Sequence, residues 1–218
     1  MNKQTDTLFF GKGNAKVGKE IWTFSLPAGH TCPGARACMA RADRGSGRIT
    51  DGAEQEFRCF AASMERYAGV RERRWENFEA LKGLSFVEMV ELIEASLPIN
   101  EGIIRVHVGG DFFSNSYFAA WMKVAVDNPD ILFYAYTKSL NYWVRNIEII
   151  PVNFKLTASR GGRYDALIEK YNLRTATVLH TLQEAVALAL EVDHDDSHAY
   201  RGNESFALLV HGTQPKRK

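Results

Sequence analysis

The second half of the chain alternates between two hydrophobic patterns. Short apolar runs typical of buried strands occur at 103–108, 131–136, 153–158, 174–180 and 206–210. Between them, apolar residues recur at helical spacing over 116–125, 140–149 and 162–171. A further helix is expected after Thr181, where Glu184 completes a capping box. Strands and helices that alternate with short loops predict an α/β fold, in which helical crossovers join parallel strands.

The first half is predicted to contribute one strand and two helices. The strand covers 20–26, one helix covers 60–81, and a second helix begins after Ser85, where Glu88 completes another capping box. About six strands are therefore expected. Residues 39–57, rich in Arg, Asp, Gly and Ser, are predicted to form the longest irregular loop.

The length of 218 residues fits a single domain, 1–218. Within it we distinguish a cysteine-containing and helical segment, 27–100, from an alternating β/α segment, 101–212. The net charge is +1, so no overall field attracts nucleic acid or a membrane surface. Because the sequence shows neither a signal peptide nor about 20 consecutive apolar residues, we expect a cytoplasmic protein without membrane contact.

All three cysteines, Cys32, Cys38 and Cys59, lie close together near the N-terminus. In a reducing compartment such a cluster indicates a metal or catalytic site more often than a disulfide framework, and three thiols cannot all pair. Thiolates bind zinc, copper(I) and iron–sulfur clusters. Zinc with His30 as fourth ligand remains an alternative, as do three cysteines that act as small buried hydrophobes. We favour a [4Fe–4S] cluster with three cysteine ligands and one iron that is open or otherwise bound.

Polar residues follow several of the predicted strands, where parallel α/β folds bind their ligands. Gly109, Gly110 and Asp111 follow the second strand, Lys138 the third and Arg160 the fourth. Asp111 could bind a cofactor amine, supply a fourth ligand or cap the next helix. Lys138 could bind an anion or face solvent, and Arg160 could either form an anion-binding turn with the following amides or simply occupy a turn.

Two weaker patterns accompany these candidates. His107 is expected to be a core residue, whereas His180 and His211 stand at strand ends. Residues 66–75 mix basic and aromatic side chains, a pattern that can follow a phosphate backbone. The glutamates among and beside them favour a solvated helix face instead.

Several longer runs resemble a family of phage and prophage proteins known as gene product 88. These are SLPAGHTCPGARAC (25–38), FRCFAAS (57–63), VRERRWEN (70–77) and RVHVGGDFFS (105–114), and the likeness continues to 211–215. The resemblance implies a phage or prophage origin, and hence a location in the cytoplasm of the host cell. It implies little about chemistry.

A looser resemblance connects the chain with radical S-adenosylmethionine enzymes, through the order strand, three-cysteine segment, strand, Gly109-Gly110-Asp111. It implies a partial (β/α)6 barrel with a three-cysteine loop after the first strand, a [4Fe–4S] cluster, and S-adenosylmethionine as a cofactor. The chain departs from that family at two points. Its cysteines are not spaced C-x3-C-x2-C, and Asp111 stands where the family has glutamate.

These observations lead to two hypotheses about function. We expect a phage-type iron–sulfur protein whose open iron takes part in redox or radical chemistry on a small molecule, nucleotide or peptide. The alternative is a non-enzymatic phage protein, stabilised by zinc, that binds host nucleic acid or a host factor. Whether the chain is an enzyme stays open at this point.

Overall fold

The computed structural model describes residues 7–14 and 17–215. In this part of the chain the strands are β1 (Phe10–Asn14), β2 (Gly18–Phe24), β3 (Ala40–Ala42), β4 (Ile49–Asp51), β5 (Gly102–Val106), β6 (Ile131–Thr137), β7 (Phe154–Ser159), β8 (Thr175–Leu179) and β9 (Phe206–Leu209). The helices are α1 (Phe60–Met64), α2 (Ala68–Leu81), α3 (Phe86–Ala95), α4 (Asn115–Asp127), α5 (Leu140–Arg145), α6 (Ala166–Tyr171), α7 (Leu182–Ala187) and α8 (Ser197–Tyr200). A short 3-10 helix, Ile147–Ile149, follows α5.

Seven strands form one sheet in the order β1-β2-β5-β6-β7-β8-β9. The pair β1–β2 is antiparallel, and every later neighbouring pair is parallel. The α/β class with a mostly parallel sheet is therefore confirmed. The sequence prediction missed β1, and it was wrong about residues 39–57, because β3 and β4 pair there as a separate antiparallel hairpin.

The two faces of the sheet pack against different partners, because side chains alternate along each strand. Ile104 and Phe133 lie in the main core with α2 to α6. On the opposite face, Tyr134 and Phe206 form a smaller cluster with Ala199 of α8. Polar groups on this second face become part of the candidate site.

The two predicted capping boxes are present, at Ser85 before α3 and at Thr181 before α7. The single helix predicted over 60–81 is instead interrupted between α1 and α2, where Glu65 turns into the protein interior. Among the described residues, no helix is long and apolar enough to cross a membrane.

Backbone hydrogen bonds fasten the segment after β2 to the carboxyl ends of other strands. The Leu26 amide donates to the Gly109 carbonyl (2.7 Å), and the Ala37 amide donates to the Gly161 carbonyl (2.9 Å). Gly34 packs so closely that a Cβ atom there would lie 2.1 Å from the Lys138 carbonyl oxygen. The segment that carries Cys32 and Cys38 is therefore fixed above the ends of β5, β6 and β7.

This close approach gives a stability prediction for Gly34→Ala. The added methyl group would overlap backbone atoms of Lys138, so the variant should lower the free energy of unfolding by about 1–3 kcal/mol in urea titrations. Gly69→Ala is the matched control, because Gly69 lies in α2 with open space around its Cβ direction. It should leave stability unchanged or raise it by up to about 1 kcal/mol. Equal effects at the two positions would contradict the packing described here.

Candidate functional site

A cavity of about 420 Å³ lies at the carboxyl ends of the parallel strands, and all three cysteines line it. Cys32 and Cys38 lie between β2 and β3, whereas Cys59 lies directly before α1, and each is half-buried. The structure thus brings together seven of the eight residues predicted from the sequence, since the lining also includes Gly109, Gly110, Asp111 and Lys138.

The three cysteines are free thiols, and the pKa values of two of them, Cys32 and Cys38, are raised. Burial raises the pKa of Cys32 well above its ordinary value, and nearby Asp111 and Cys59 raise it further. Burial also raises the pKa of Cys38, to about 11, although the Lys138 ammonium opposes the shift. The Gly29 amide lies 3.2 Å from the Cys32 sulfur and donates to it. Without a bound metal, both thiols are therefore protonated near neutral pH.

Two observations bear on whether the site can hold a metal centre, and they point in opposite directions. The donor set is three thiols in one cavity with cationic side chains in its lining, which suits thiolate-bound metals. In the part of the chain that the structure describes, however, no group of three or more His, Cys, Asp or Glu side chains is arranged to hold a metal ion. The cysteines share the cavity, but their side chains do not form a ready coordination sphere.

Asp111 does not cap the following helix, because the N-cap of α4 is Ser114. Its buried carboxylate instead accepts hydrogen bonds from the Phe112 amide (2.7 Å), the Thr137 hydroxyl (2.6 Å) and the Lys138 amide (2.9 Å). Burial raises the pKa of Asp111 and the Thr137 hydrogen bond opposes that shift. The carboxylate therefore joins the ends of β5 and β6.

The interpretation of Lys138 as a solvent-facing side chain is wrong. The residue is 6% exposed, and its Nζ donates to the Ser159 carbonyl (2.9 Å), the Ser159 hydroxyl (2.8 Å) and the Arg160 carbonyl. These three acceptors match the three N–H bonds of an ammonium group. Lys138 thus joins the ends of β6 and β7 and places a positive charge near Cys38.

Arg160 differs from the other predicted site residues in its position. Its side chain is outside the cavity lining and pairs with Glu169 at 2.7 Å. The anion-binding turn itself exists, but the Asp165 carboxylate fills it by accepting from the amides of Gly161 (2.8 Å) and Gly162 (2.9 Å). Arg160 itself contributes to the site through its carbonyl oxygen, which accepts from Lys138 Nζ.

His107 and His211 line the cavity, whereas His30 and His180 are exposed. His107 is buried, as expected, with its ring beside Phe112 and Tyr117. His211 lines the cavity and stacks on Phe60 at a ring distance of 3.9 Å. His30 is exposed and absent from the cavity lining, and its Nε2 lies 2.9 Å from the carbonyl oxygen of residue 42. His180 is exposed too and does not line the cavity.

The sequence patterns did not predict a buried ion pair that lies beside the cavity. Glu65 Oε1 accepts from the Ala28 amide and from Arg74 Nη1, both at 2.7 Å. Arg74 also donates to the Ala61 carbonyl (2.8 Å) and lines the cavity. A Cβ atom at Gly109 would lie 2.6 Å from the Arg74 guanidinium carbon, so glycine is needed there. The two residues are nine positions apart in the sequence. They therefore lack the i,i+4 spacing by which an ion pair on a helix can be recognised from the sequence.

The C-terminal segment closes one side of the cavity next to Cys59. The Arg58 amide donates to the Gln214 side-chain oxygen (2.7 Å), and the Gln214 amide group donates to the Arg58 carbonyl (3.3 Å). Residues 211–213 line the cavity. The chain after β9 therefore returns to the segment that carries the third thiol.

The fold and the site define an α/β protein with a thiol-lined cavity at the ends of its parallel strands. The chain belongs to the Gene product 88 family, whose model matches residues 2–218. The family resemblance of the sequence motifs is thereby confirmed.

Two curated relatives support a bacteriophage origin. The Gene 88 protein of Mycobacterium phage L5 is 30% identical over 138 residues, which cover 58% of this chain and 51% of the relative. The Gene 88 protein of Mycobacterium phage D29 is 29% identical over 138 residues, covering 58% and 50%. The match spans about half the length of these relatives. No solved structure matches the chain, and neither relative supports the looser resemblance to radical S-adenosylmethionine enzymes.

The Glu65–Arg74 pair gives a prediction for Glu65→Gln. The substitution leaves the buried Arg74 charge without its carboxylate, so the free energy of unfolding should fall by about 3–5 kcal/mol in urea titrations. Glu54→Gln is the control, because its pair with Arg36 is more than half exposed on both sides and should change stability by about 1 kcal/mol or less. A similar small change for both variants would show that the buried pair does not anchor this region.

The raised thiol pKa values predict how the metal-free protein responds to alkaline pH. The unfolded chain releases thiol protons near pH 8.5, whereas folded Cys38 keeps its proton until about pH 11. The resulting contribution to the free energy of unfolding is fully present below pH 8. It decreases by about 2–3 kcal/mol as the pH rises from 8 to 11. Urea unfolding should therefore show a steeper alkaline decline for the wild type than for Cys38→Ser. Parallel pH profiles would contradict this.

Proposed function

We propose that the protein binds an iron–sulfur cluster of the [4Fe–4S] type through Cys32, Cys38 and Cys59, with one iron not bound by cysteine. The observation that carries this proposal is that all three cysteines, although spread over two separate loops, line a single cavity. A purely hydrophobic role does not require all three cysteines of the chain to share a cavity, whereas a common cluster does.

The charges around the cavity suit a negatively charged occupant. A [4Fe–4S] cluster with three thiolate ligands carries net negative charge, and the cavity lining has four cationic side chains, Arg66, Arg74, Arg105 and Lys138, against two carboxylates, Asp111 and Asp196. The Gly29 amide that donates to Cys32 would stabilise the thiolate form of that ligand. Binding must displace the thiol protons, so cluster affinity should increase with pH.

The three side chains would turn toward the cluster as it binds. Each cysteine would bind a different iron, so the sulfurs need to surround the cluster and do not have to meet at one ion. The backbone of the first loop is held by hydrogen bonds at Leu26 and Ala37, which favours a rotation of side chains over a movement of the loop. The residues that hold the loop, including Glu65 through the Ala28 amide, would keep the ligands in position.

The function that we infer is redox or radical chemistry on a small molecule, nucleotide or peptide at the open iron. The cluster, when bound, would supply the electron. Six parallel strands in chain order support a partial (β/α)6 barrel, whose strand ends would surround the reacting molecule. Gly109 and Gly110 would line the space beside the open iron. S-adenosylmethionine is one candidate ligand there, although the Asp111 carboxylate already accepts three hydrogen bonds from the chain.

The zinc-stabilised, nucleic-acid-binding alternative has weaker support. The prediction that residues 66–75 form a solvated face is wrong for Arg71 and Arg74, which are each 6% exposed. Arg71 donates to the carbonyls of Arg44, Gly45 and Glu65. Two of the four arginines in this stretch therefore hold the chain together and are not available to a phosphate backbone.

The proposal is tested by iron and acid-labile sulfide analysis of protein purified without oxygen. We expect a brown protein with about four iron and four sulfide per chain. Cys32→Ser, Cys38→Ser and Cys59→Ser should each lose most of both, because each removes one of three ligands. Ser63→Ala, which alters the same cavity without touching a thiol, should retain the wild-type content.

Three results would count against the proposal. A colourless protein with one zinc per chain would favour the alternative, and a protein without either metal would exclude both centres. Full iron and sulfide content in all three serine variants would exclude these cysteines as ligands.

For the open iron, addition of S-adenosylmethionine to the reduced protein should alter the electron paramagnetic resonance spectrum if that molecule binds there.

A further inference from the structure

The cavity extends from the thiols onto the face of the sheet that carries α8. Arg105 of β5 and Tyr136 of β6 contribute polar groups to this part of the lining, and Asp196 lies beside them. Val178 of β8 and Leu208 of β9 add apolar surface. Four strands and a helix N-cap therefore form a second region of the cavity, distinct from the cysteine loops.

Arg105 is held rigidly in this region. Its Nη1 donates to the fully buried Asp196 carboxylate, which also accepts from the Tyr134 hydroxyl at 3.2 Å. The guanidinium lies over the Tyr136 ring, 5.0 Å from the ring centroid. A guanidinium fixed by an ion pair and an aromatic ring loses little conformational freedom when it binds a ligand.

Most of the hydrogen-bonding capacity of Arg105 is unused. Among the described residues its guanidinium donates only the bond to Asp196, out of five N–H bonds. Nε is buried without an acceptor in that part of the chain. Nε–H and Nη2–H share one edge of the guanidinium, the edge that binds carboxylates and phosphates in a bidentate manner. An unsatisfied buried donor destabilises the folded protein, and a ligand oxygen would offset that cost.

The other cationic side chains of the cavity are engaged elsewhere. Arg74 pairs with Glu65, and Lys138 Nζ donates to three oxygens at the end of β7. Arg66 is exposed and donates to the hydroxyl of the neighbouring tyrosine. Among the described cationic side chains of the cavity, Arg105 is therefore the one whose Nε is buried without a hydrogen-bond acceptor.

We propose that Arg105 binds the carboxylate or phosphate group of a small molecule in this cavity, with an apolar part of that molecule against Val178 and Leu208. The inference deepens the proposed function, since it rests on that function for the role of the bound molecule beside the cluster. Binding at Arg105 itself requires no iron and can be measured separately. Arg105 would be a binding residue that orients the molecule relative to the thiol end.

The test uses the full chain with arginine labelled at Nε with nitrogen-15. Hexanoate and inorganic phosphate are titrated separately, and hexanamide serves as the uncharged ligand. We expect a saturable shift of the Arg105 Nε–H resonance with at least one anion and none with hexanamide. A response to hexanoate alone assigns a carboxylate ligand, and a response to phosphate alone assigns a phosphate ligand. No saturable shift with either anion would overturn the proposal.

Substitutions separate ligand binding from a purely structural role. Arg105→Lys keeps the charge but loses the planar edge, so the affinity for the responding anion, measured by calorimetry, should fall by about tenfold or more. Arg145→Lys, on the exposed part of α5, is the matched control and should bind as the wild type does. The double variant Arg105→Gln/Asp196→Asn removes both charges together, which should preserve the fold and abolish binding. Undiminished affinity in the lysine variant or the double variant would overturn the proposal.

The same titration on iron-loaded and iron-free protein distinguishes the two proposals. If the chain binds the anion but takes up no iron, the Arg105 proposal is supported and the cluster proposal is contradicted. If the chain holds iron and sulfide through its cysteines but does not bind the anion, the cluster proposal is supported and the Arg105 proposal is contradicted.

Discussion

The junction between Asp111 and Lys138 fixes the geometry on which the rest of the site depends. The Asp111 carboxylate accepts from Thr137 and from the Lys138 amide, and the Lys138 ammonium reaches oxygens at the end of β7. Buried polar groups that are fully hydrogen-bonded rigidify their surroundings, because any displacement leaves a desolvated group without a partner. Gly34 packs directly on the Lys138 carbonyl, so the loop with the first two cysteines takes its position from this junction.

Local patterns in the sequence predicted the elements that depend on local interactions. The six parallel strands and the helices that begin after Ser85 and Thr181 follow from apolar periodicity and capping boxes. The strand β1 has the sequence FGKGN, whose two glycines and lysine obscure any apolar alternation. The hairpin strands β3 and β4 have three residues each, too few to show a period. The break between α1 and α2 depends on Glu65 and its distant partners, which no local pattern contains.

The candidate site was predictable to the extent that it follows from topology. The rule that ligands bind at the carboxyl ends of parallel strands led to Gly109, Gly110, Asp111 and Lys138, all of which line the cavity. The rule also led to Arg160, whose side chain lies outside the lining and pairs with Glu169, because the rule places a residue at the correct edge but does not say which way its side chain turns. The ion pairs Glu65–Arg74 and Arg105–Asp196 join residues 9 and 91 positions apart, so only the folded chain reveals them.

The central claim is that three sulfurs from two loops surround one inorganic core. The most direct measurement is a crystal structure of protein prepared without oxygen, with anomalous diffraction recorded on both sides of the iron absorption edge. The account predicts strong iron anomalous density inside the cavity, within bonding distance of the sulfur atoms of Cys32, Cys38 and Cys59. Iron density at any other position, or a cavity without iron in crystals of protein shown to contain the metal, would contradict it.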